Sequence, residues 1–298
     1  MQEIEDEVLI EEIKRRIEEK NNALRELTVV TGKLETLNDK LRQSEALKSN
    51  FLSNIRHEIN NPLAVILGIS KRLVNGNAGP KDTEIMGEMI YKEAFALDFQ
   101  LKNIYMAAEI EAGELSIGVS HTDVGAMVCS LVDSFKQMAA DKNIHVEYVP
   151  EWVEPGEKLY FDTDPEKLSC ILANLLANAI EYSEVGGNVL IRAGKKITRL
   201  VISVADDGIG IAEKDRNRIF DRFIQLDTGT CKKYKGHGLG LSITKALAEM
   251  LAGEITLISS PGNGCTFTVI LDEFYTAGLG DDLSEDGNER IFGGAEKY

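Results

Sequence analysis

A water-facing histidine, two asparagines one helical turn apart and three short glycine-bearing loops are the residues of this chain best suited to chemistry. In NFLSNIRHEINNPLAVIL, residues 50 to 67, apolar side chains recur at Phe51, Ile55, Ile59, Pro62/Leu63 and Ile66, the spacing of one buried helical face. At roughly 100° per residue, His57 stands about 200° from Ile55 and from Ile59, so its imidazole points to water beside Glu58. Asn61 follows about 40° away around the same helix, close enough to share that surface. An exposed imidazole is a nucleophile or a proton carrier near neutral pH.

The second half of the chain holds the other candidates. Asn174 and Asn178 lie four apart on a stripe otherwise made of Leu168, Ile171, Leu172, Leu175 and Leu176. Buried amides need partners. Either they cap nearby backbone or a side-chain oxygen reaches a hard cation such as Mg²⁺ on a nucleotide. DDGIGI (206 to 211), GHGLGL (236 to 241) and PGNGCTF (261 to 267) each supply backbone that can approach a ligand closely, although any one alone reads equally well as a turn. The first follows a strand, which puts Asp206 at the end of a sheet. The second runs into the helix LGLSITKALAEML, whose N-terminal N–H groups suit a phosphate. Neither completes GxGxxG, and no GK[ST] is present, so the common dinucleotide and P-loop patterns do not apply.

The elements that must position these residues are legible from periodicity. Residues 1 to about 75 carry no proline before Pro62 and are rich in Glu, Lys, Leu and Ile, as a long helix should be. A heptad register sets Ile10, Ile17, Leu24, Thr31 and Asn38 against Ile13, Lys20, Leu27, Leu34 and Leu41; seven of these ten are apolar, which predicts a coiled coil with polar interruptions. The four-residue spacing of Leu47, Phe51, Ile55 and Ile59 then shifts the phase, as where a two-stranded coil opens into a wider bundle. NGNAGPKD (75 to 82) breaks the helix, and a second apolar-periodic segment runs to about Glu114. Such a hairpin buries too little alone, so a dimeric four-helix bundle completes it. Beyond Leu115 the pattern predicts a helix over 123–142, strands near 144–149 and 158–162, and a helix from 164 to Ser183. Further strands follow near 188–193, 198–205, 255–260 and 265–271. The polar, lysine-bearing run FDRFIQLDTGTCKKYKGHG suits a mobile lid between two helices.

Bulk properties narrow the class. A net charge of -16 on 298 residues argues against nucleic-acid and anionic-membrane partners. No apolar run reaches the roughly 18 to 20 residues that span a bilayer, so a cytoplasmic location is expected, with a larger sensor protein as the alternative parent. Cys129, Cys170, Cys231 and Cys265 lie far apart without CxxC spacing, as reduced thiols rather than a metal site or disulfide frame.

Together, FLSNIRHEINNPL, NLLANAIEYS, DDGIGI, IFDRF, GHGLGLSI and GNGCTF, in that order, resemble the sensor histidine kinases of two-component systems across about residues 45 to 272. The resemblance implies a helical hairpin forming a dimeric four-helix bundle with an N-terminal coiled coil, followed by an α/β two-layer sandwich that binds ATP, shared with gyrase and MutL. The expected domains are a coiled-coil signalling helix (1–46), a dimerisation and histidine phosphotransfer domain (47–114), a catalytic ATP-binding domain (115–275) and a flexible acidic tail or linker (276–298).

The resemblance further implies that Mg-ATP phosphorylates His57 and that the phosphoryl group passes to an aspartate of a response-regulator receiver domain. Glu58 then matches the acidic neighbour that takes the imidazole proton, Asn61 the residue that orients a hydrolytic water for phosphatase activity, and Pro62 the proline that kinks the helix. Asn178 resembles the Mg²⁺ ligand, Asn174 its companion, and Asp206 the carboxylate that meets the adenine amino group. Gly208 and Gly210 make room there, and Tyr182 lies against the base. Lys235, Gly236, Gly238, Leu239 and Gly240 form the hinge and phosphate-facing part of the lid, with Phe220 and Phe223 as its anchoring aromatics. The implied partners are a second copy of the chain, a receiver domain and a sensor domain outside this sequence. Three positions depart from the pattern: Glu181 where a lysine is frequent, Gln225 where an arginine is, and Cys265 for a serine. A non-catalytic nucleotide-binding module and an ATPase of the gyrase or MutL kind are the competing readings.

Overall fold

The structure, a computed structural model, describes residues 56, 59–76, 79–152, 156–224 and 238–274. In the N-terminal segment it describes residues 15, 16, 20, 25, 27, 28, 30–38 and 42. Of the expected site residues, His57, Glu58, Lys235 and Gly236 lie outside the described residues, as do Gln225, the acidic tail and most of the coiled-coil segment. The chain divides into two compact units at Ile55/Arg56. In the first, the described residues are helical, and the helix passes through Gly32. Thr31 and Thr36 donate their hydroxyls back to Leu27 O and Gly32 O, each at 2.8 Å. Leu27, Leu34 and Leu37 are exposed.

The second unit opens with a helical hairpin. Helix α1 covers described residues 59–74, and α2 runs Pro80–Ala112 with Pro80 in its first turn, where a missing N–H costs nothing. The least exposed residues of α1 are Ile59, Pro62, Ile66, Ile69, Ser70 and Leu73, so Pro62 rather than Leu63 turns inward. Apolar Leu63, Leu67, Ile85 and Met89 are left exposed along the hairpin.

After Gly113 come β1 (Ser120–Asp123), α3 (Val124–Ala140), β2 (His145–Pro150), β3 (Tyr160–Thr163), α4 (Pro165–Tyr182), β4 (Asn188–Lys196) and β5 (Arg199–Asp206). Two single-turn 3₁₀ segments precede α5 (Gly240–Met250), β6 (Gly253–Ser259) and β7 (Cys265–Asp272). The main sheet has the order β2-β4-β5-β7-β6, with β2 parallel to β4 and the remaining neighbours antiparallel. Alternate residues of its central strands are buried: Val189, Ile191 and Ala193; Leu200, Ile202 and Val204; Phe267, Val269 and Leu271. This period of two gives a sheet with one covered face, and α3, α4 and α5 are the cover. The helical hairpin followed by an α/β sandwich is the expected fold class.

Two departures from the expected elements have local causes. Strand β1 is absent from the sequence reading because SHTD is polar throughout. It exists through antiparallel pairing with β3, Ser120 opposite Thr163. The lid stretch is preceded by 3₁₀ turns over Glu213–Asp215 and Arg218–Phe220 rather than by an α-helix.

The start of α4 is fixed by a buried charge cluster. The Asp164 side chain caps the helix by accepting from Lys167 N at 3.1 Å, pairs with Lys167 Nζ at 2.7 Å and accepts from Gly118 N at 2.7 Å. Both side chains are almost completely removed from water. Removing one partner of such a pair strands the other charge, which costs about 3 to 5 kcal/mol, whereas exposed pairs are worth about 1 kcal/mol or less. We therefore expect Asp164→Ala to lower unfolding stability in urea by about 3 to 5 kcal/mol. Asp272→Ala, which breaks the exposed Arg199–Asp272 pair, should cost about 1 kcal/mol or less.

Candidate active site

Three chain segments meet at the end of β5. Asp206, its last residue, is 8% exposed. Its Oδ1 accepts from Gly208 N at 2.8 Å and from Cys265 N at 3.2 Å. Both main-chain bonds fall on one oxygen, so Oδ2 keeps acceptor capacity for a ligand. Burial pushes the Asp206 carboxyl up to about 6; the two N–H donors oppose that rise, and the neighbouring Asp207 charge adds to it. Around it, Gly264 N donates to Gly208 O at 2.9 Å, Gly262 N to Ile209 O at 2.8 Å, and Ile211 N to Ser259 Oγ at 2.8 Å. Ser259 Oγ in turn donates to Gly264 O at 2.8 Å. The loop after β5, the β6–β7 turn and the end of α4 are thereby stitched into one floor, with Ser183 bridged to Gly208.

A cavity of about 780 Å³ opens above that floor. Asn174, Asn178, Glu181 and Tyr182 of α4 line it together with Asp206, Gly210, Gly238, Leu239 and Gly240. Asn178 is half-buried, and its side chain makes no hydrogen bond to another described residue. Asn174 is 2% exposed, and its Nδ2 donates at 2.8 Å to Oδ1 of Asn103 on α2. Of the two sequence readings for these amides, capping of nearby backbone does not apply to Asn174. Cys265 contributes its main-chain N–H to the site. Its thiol, pushed up to about 11 by burial, stays protonated at neutral pH.

The ends of the lid stretch are tied together. Phe223 N donates to Gly238 O at 3.0 Å, and Phe220 stands edge-on to Phe267 at 6.4 Å. Leu239 is buried ahead of α5, and Gly240 is its first residue. Asn61 is exposed on α1, one residue before buried Pro62.

Two contributors escaped the sequence reading. Lys142, after α3, donates its ammonium to the carbonyls of Ile180, Glu181 and Ser183, capping the end of α4 that bears the asparagines. Asn103 looks like one of many polar residues on α2. No signal in the sequence separates either from an ordinary surface residue.

Comparison with known proteins gives this arrangement a class. The family of histidine kinase-, DNA gyrase B- and HSP90-like ATPases matches residues 163–274, and the His Kinase A (phospho-acceptor) domain matches residues 47–113. A circadian input-output histidine kinase, CikA of Synechococcus elongatus, is 32% identical over 233 residues, 77% of this chain and 30% of its own length. The sensor histidine kinase TmoS of Ectopseudomonas mendocina is 30% identical over 86% of this chain and 26% of its own length. SenX3 of Mycolicibacterium smegmatis, a sensor-like histidine kinase, is 30% identical over 83% of this chain and 63% of its own length. The chain thus spans a third or less of the first two relatives. Among solved structures, the Acinetobacter baumannii histidine kinase AdeS superposes with a TM-score of 0.50 at 20% identity, covering 74% of this chain and 98% of that one. Full-length ShkA, solved in complex with AMPPNP, gives 0.54 at 23% identity, covering 78% of this chain and 47% of that one. These define a phospho-acceptor hairpin joined to an ATPase domain of the gyrase and HSP90 type. The chain belongs to the sensor histidine kinase family. Among the described residues no helix is long and apolar enough to cross a membrane.

The floor geometry yields a stability test. A Cβ on Gly264, whose φ is +67°, would lie 1.8 Å from Asp206 O. A Cβ on Gly262, φ +79°, would meet nothing within 4 Å. Gly264→Ala should therefore cost roughly 3 kcal/mol or more, from the left-handed backbone together with overpacking. Gly262→Ala should cost about 1 to 2 kcal/mol, from backbone conformation alone. Chemical denaturation of the two variants measures the difference.

Proposed function

We propose that this chain is the core of an ATP-dependent protein-histidine kinase that phosphorylates His57 and passes the phosphoryl group to an aspartate of a response-regulator receiver domain. One observation carries the reading: a buried carboxylate with a spare acceptor oxygen faces the same cavity as two helix-borne amides, in a chain whose phospho-acceptor domain contains His57. Asp206 accepts a hydrogen bond from the adenine amino group. Gly208 lets the loop pack as bare backbone beside that carboxylate, since a Cβ there would sit 2.5 Å from Tyr182 O and 2.6 Å from Asp206 Oδ1. Tyr182 lies against the ring. Gly238, Leu239 and Gly240, continuous with Lys235 and Gly236, bring main-chain N–H groups at the start of α5 to the phosphates.

Asn178 fits a Mg²⁺ ligand by chemistry. Its amide oxygen is a hard donor on the cavity wall without a partner among the described residues, and phosphate oxygens and water complete such a shell. Bound there, Mg²⁺ supplies charge neutralisation to the triphosphate. The chain's own part is positioning, because phosphoryl transfer asks for little covalent help. One nitrogen of His57 attacks the γ-phosphorus while the bond to the ADP oxygen breaks. Glu58 holds the proton of the other nitrogen, which keeps the attacking one nucleophilic. Asn61 is exposed where a receiver would dock, and its amide orients water for dephosphorylation of the receiver. Two hairpins pair through the exposed Leu63, Leu67, Ile85 and Met89, and the N-terminal helices pair through Leu27 and Leu34.

Incubation of the purified chain with γ-labelled ATP and Mg²⁺ tests this reading. Acid-labile, base-stable label should appear and be lost in His57→Ala, with nucleotide binding intact. Asn61→Ala should keep the label and dephosphorylate a phosphorylated receiver more slowly. Label that persists in His57→Ala, or ATP hydrolysis without any label, contradicts the kinase reading.

A further inference from the structure

Helix α2 carries a stripe that faces the ATP-binding domain instead of the hairpin. Lys92, Phe95, Phe99 and Asn103 recur at three- and four-residue intervals, so they share one side of the helix over about 16 Å. Each meets a partner on the other domain. Lys92 pairs with Asp141 at the end of α3. Phe95 and Phe99 both stand edge-on to Phe135 of α3, with ring centroids at 5.2 and 5.7 Å. Asn103 Oδ1 accepts from Asn174 Nδ2 at 2.8 Å.

The last contact differs in kind from the rest. Phe135 does not line the nucleotide cavity and Asp141 borders it without a part in the proposed reaction, whereas Asn174 lines it one helical turn from Asn178. The amide nitrogen of Asn174 can only donate, and its contacts are Asn103 Oδ1 and, more weakly, Cys170 Sγ at 3.6 Å. Its oxygen faces Gly240 at the start of α5, where a Cβ would approach to 3.0 Å. Phosphate oxygens are acceptors, so a triphosphate that recruits this amide competes for its two N–H groups, of which the stronger bond now goes to Asn103 Oδ1 and the weaker to Cys170 Sγ. Phe95, Phe99 and Asn103 also line the cavity itself, which places the hairpin at its wall.

We propose, building on the kinase reading above, that Asn103 latches the phosphotransfer hairpin onto the ATP-binding domain and that Mg-ATP and the latch compete for the Asn174 amide. Linkage makes the effect reciprocal: what the latch takes from nucleotide affinity, bound nucleotide takes from the latch. The aromatic contacts and the Lys92–Asp141 pair set how firmly the domains dock, and Asn103 makes that docking sensitive to nucleotide.

The test is Mg-ATP affinity, measured by calorimetry on the full chain and its variants. Asn103→Ala should bind about fivefold more tightly than the parent, the factor that one ordinary side-chain hydrogen bond represents. Asn103→Asp, similar in shape and an acceptor only, should bind no more tightly than the parent; it also serves as the folded comparison. In an Asn174→Ala background, Asn103→Ala should change affinity by less than twofold. Weaker binding in Asn103→Ala would make Asn103 a support for Asn174 and overturn the latch. So would equal affinity of Asn103→Ala and parent, with Asp206→Asn still weakening binding, which leaves the kinase reading standing. Absence of any Mg-ATP binding to the parent overturns both.

Discussion

Keeping a carboxylate away from water is the constraint around which the ATP-binding domain is built. Burial disfavours the charged form of Asp206, and two main-chain N–H groups on one oxygen offset part of that cost. Because the native value lies above the ordinary one, the effect on stability has a definite sign. Below about pH 4 the group is neutral in both folded and unfolded chains, and the penalty is absent. It develops between about pH 4, where the carboxyl of the unfolded chain ionises while the folded one stays neutral, and about 6, above which it is fully present at about 2 to 3 kcal/mol. A group that destabilises the free protein near neutral pH, yet sits at the end of a well-packed strand, is the mark of a site rather than of a scaffold.

The surrounding structure follows from holding that oxygen in place. Its donors come from Gly208, in the loop after β5, and from Cys265, the first residue of β7, so both segments must approach the carboxylate as bare backbone. Glycine at 208 and 264 allows this, and the Ser259 hydroxyl ties the β6–β7 turn to the same floor. Opposite, α4 is fixed at both ends by charge. Asp164 and Lys167 anchor its start, and Lys142 satisfies the carbonyls at its finish. Between those anchors Leu168, Ile171, Leu175 and Ile180 are fully buried, so the turn bearing Asn174 and Asn178 has little freedom to rotate.

Much of this was legible in the sequence because it is local. The apolar stripe of α4, the alternation in β4, β5 and β7, and the glycine loops at 206–211 and 261–267 each carry their own period or turn chemistry. What escaped depends on partners remote in the chain. Strand β1 is four polar residues that become a strand only opposite β3, and Lys142 finds its acceptors some 38 residues later on α4. Asn103 pairs with a residue 71 positions away, a partner that no local pattern on α2 reveals. Glu181 lines the cavity as its position in the motif implies, so the departure from a lysine there is a feature of the site itself.

The ionisation of Asp206 and its use by nucleotide decide whether the site works in this way. Carbon-detected NMR titration of the Asp206 carboxyl, with and without ADP, measures it. The free protein should titrate near 6, and ADP should draw that value downward, with affinity falling as pH drops below it, because only the carboxylate favours the adenine N–H donor. Titration near the ordinary 3.8, or an ADP affinity flat between about pH 5 and 7, would contradict the account.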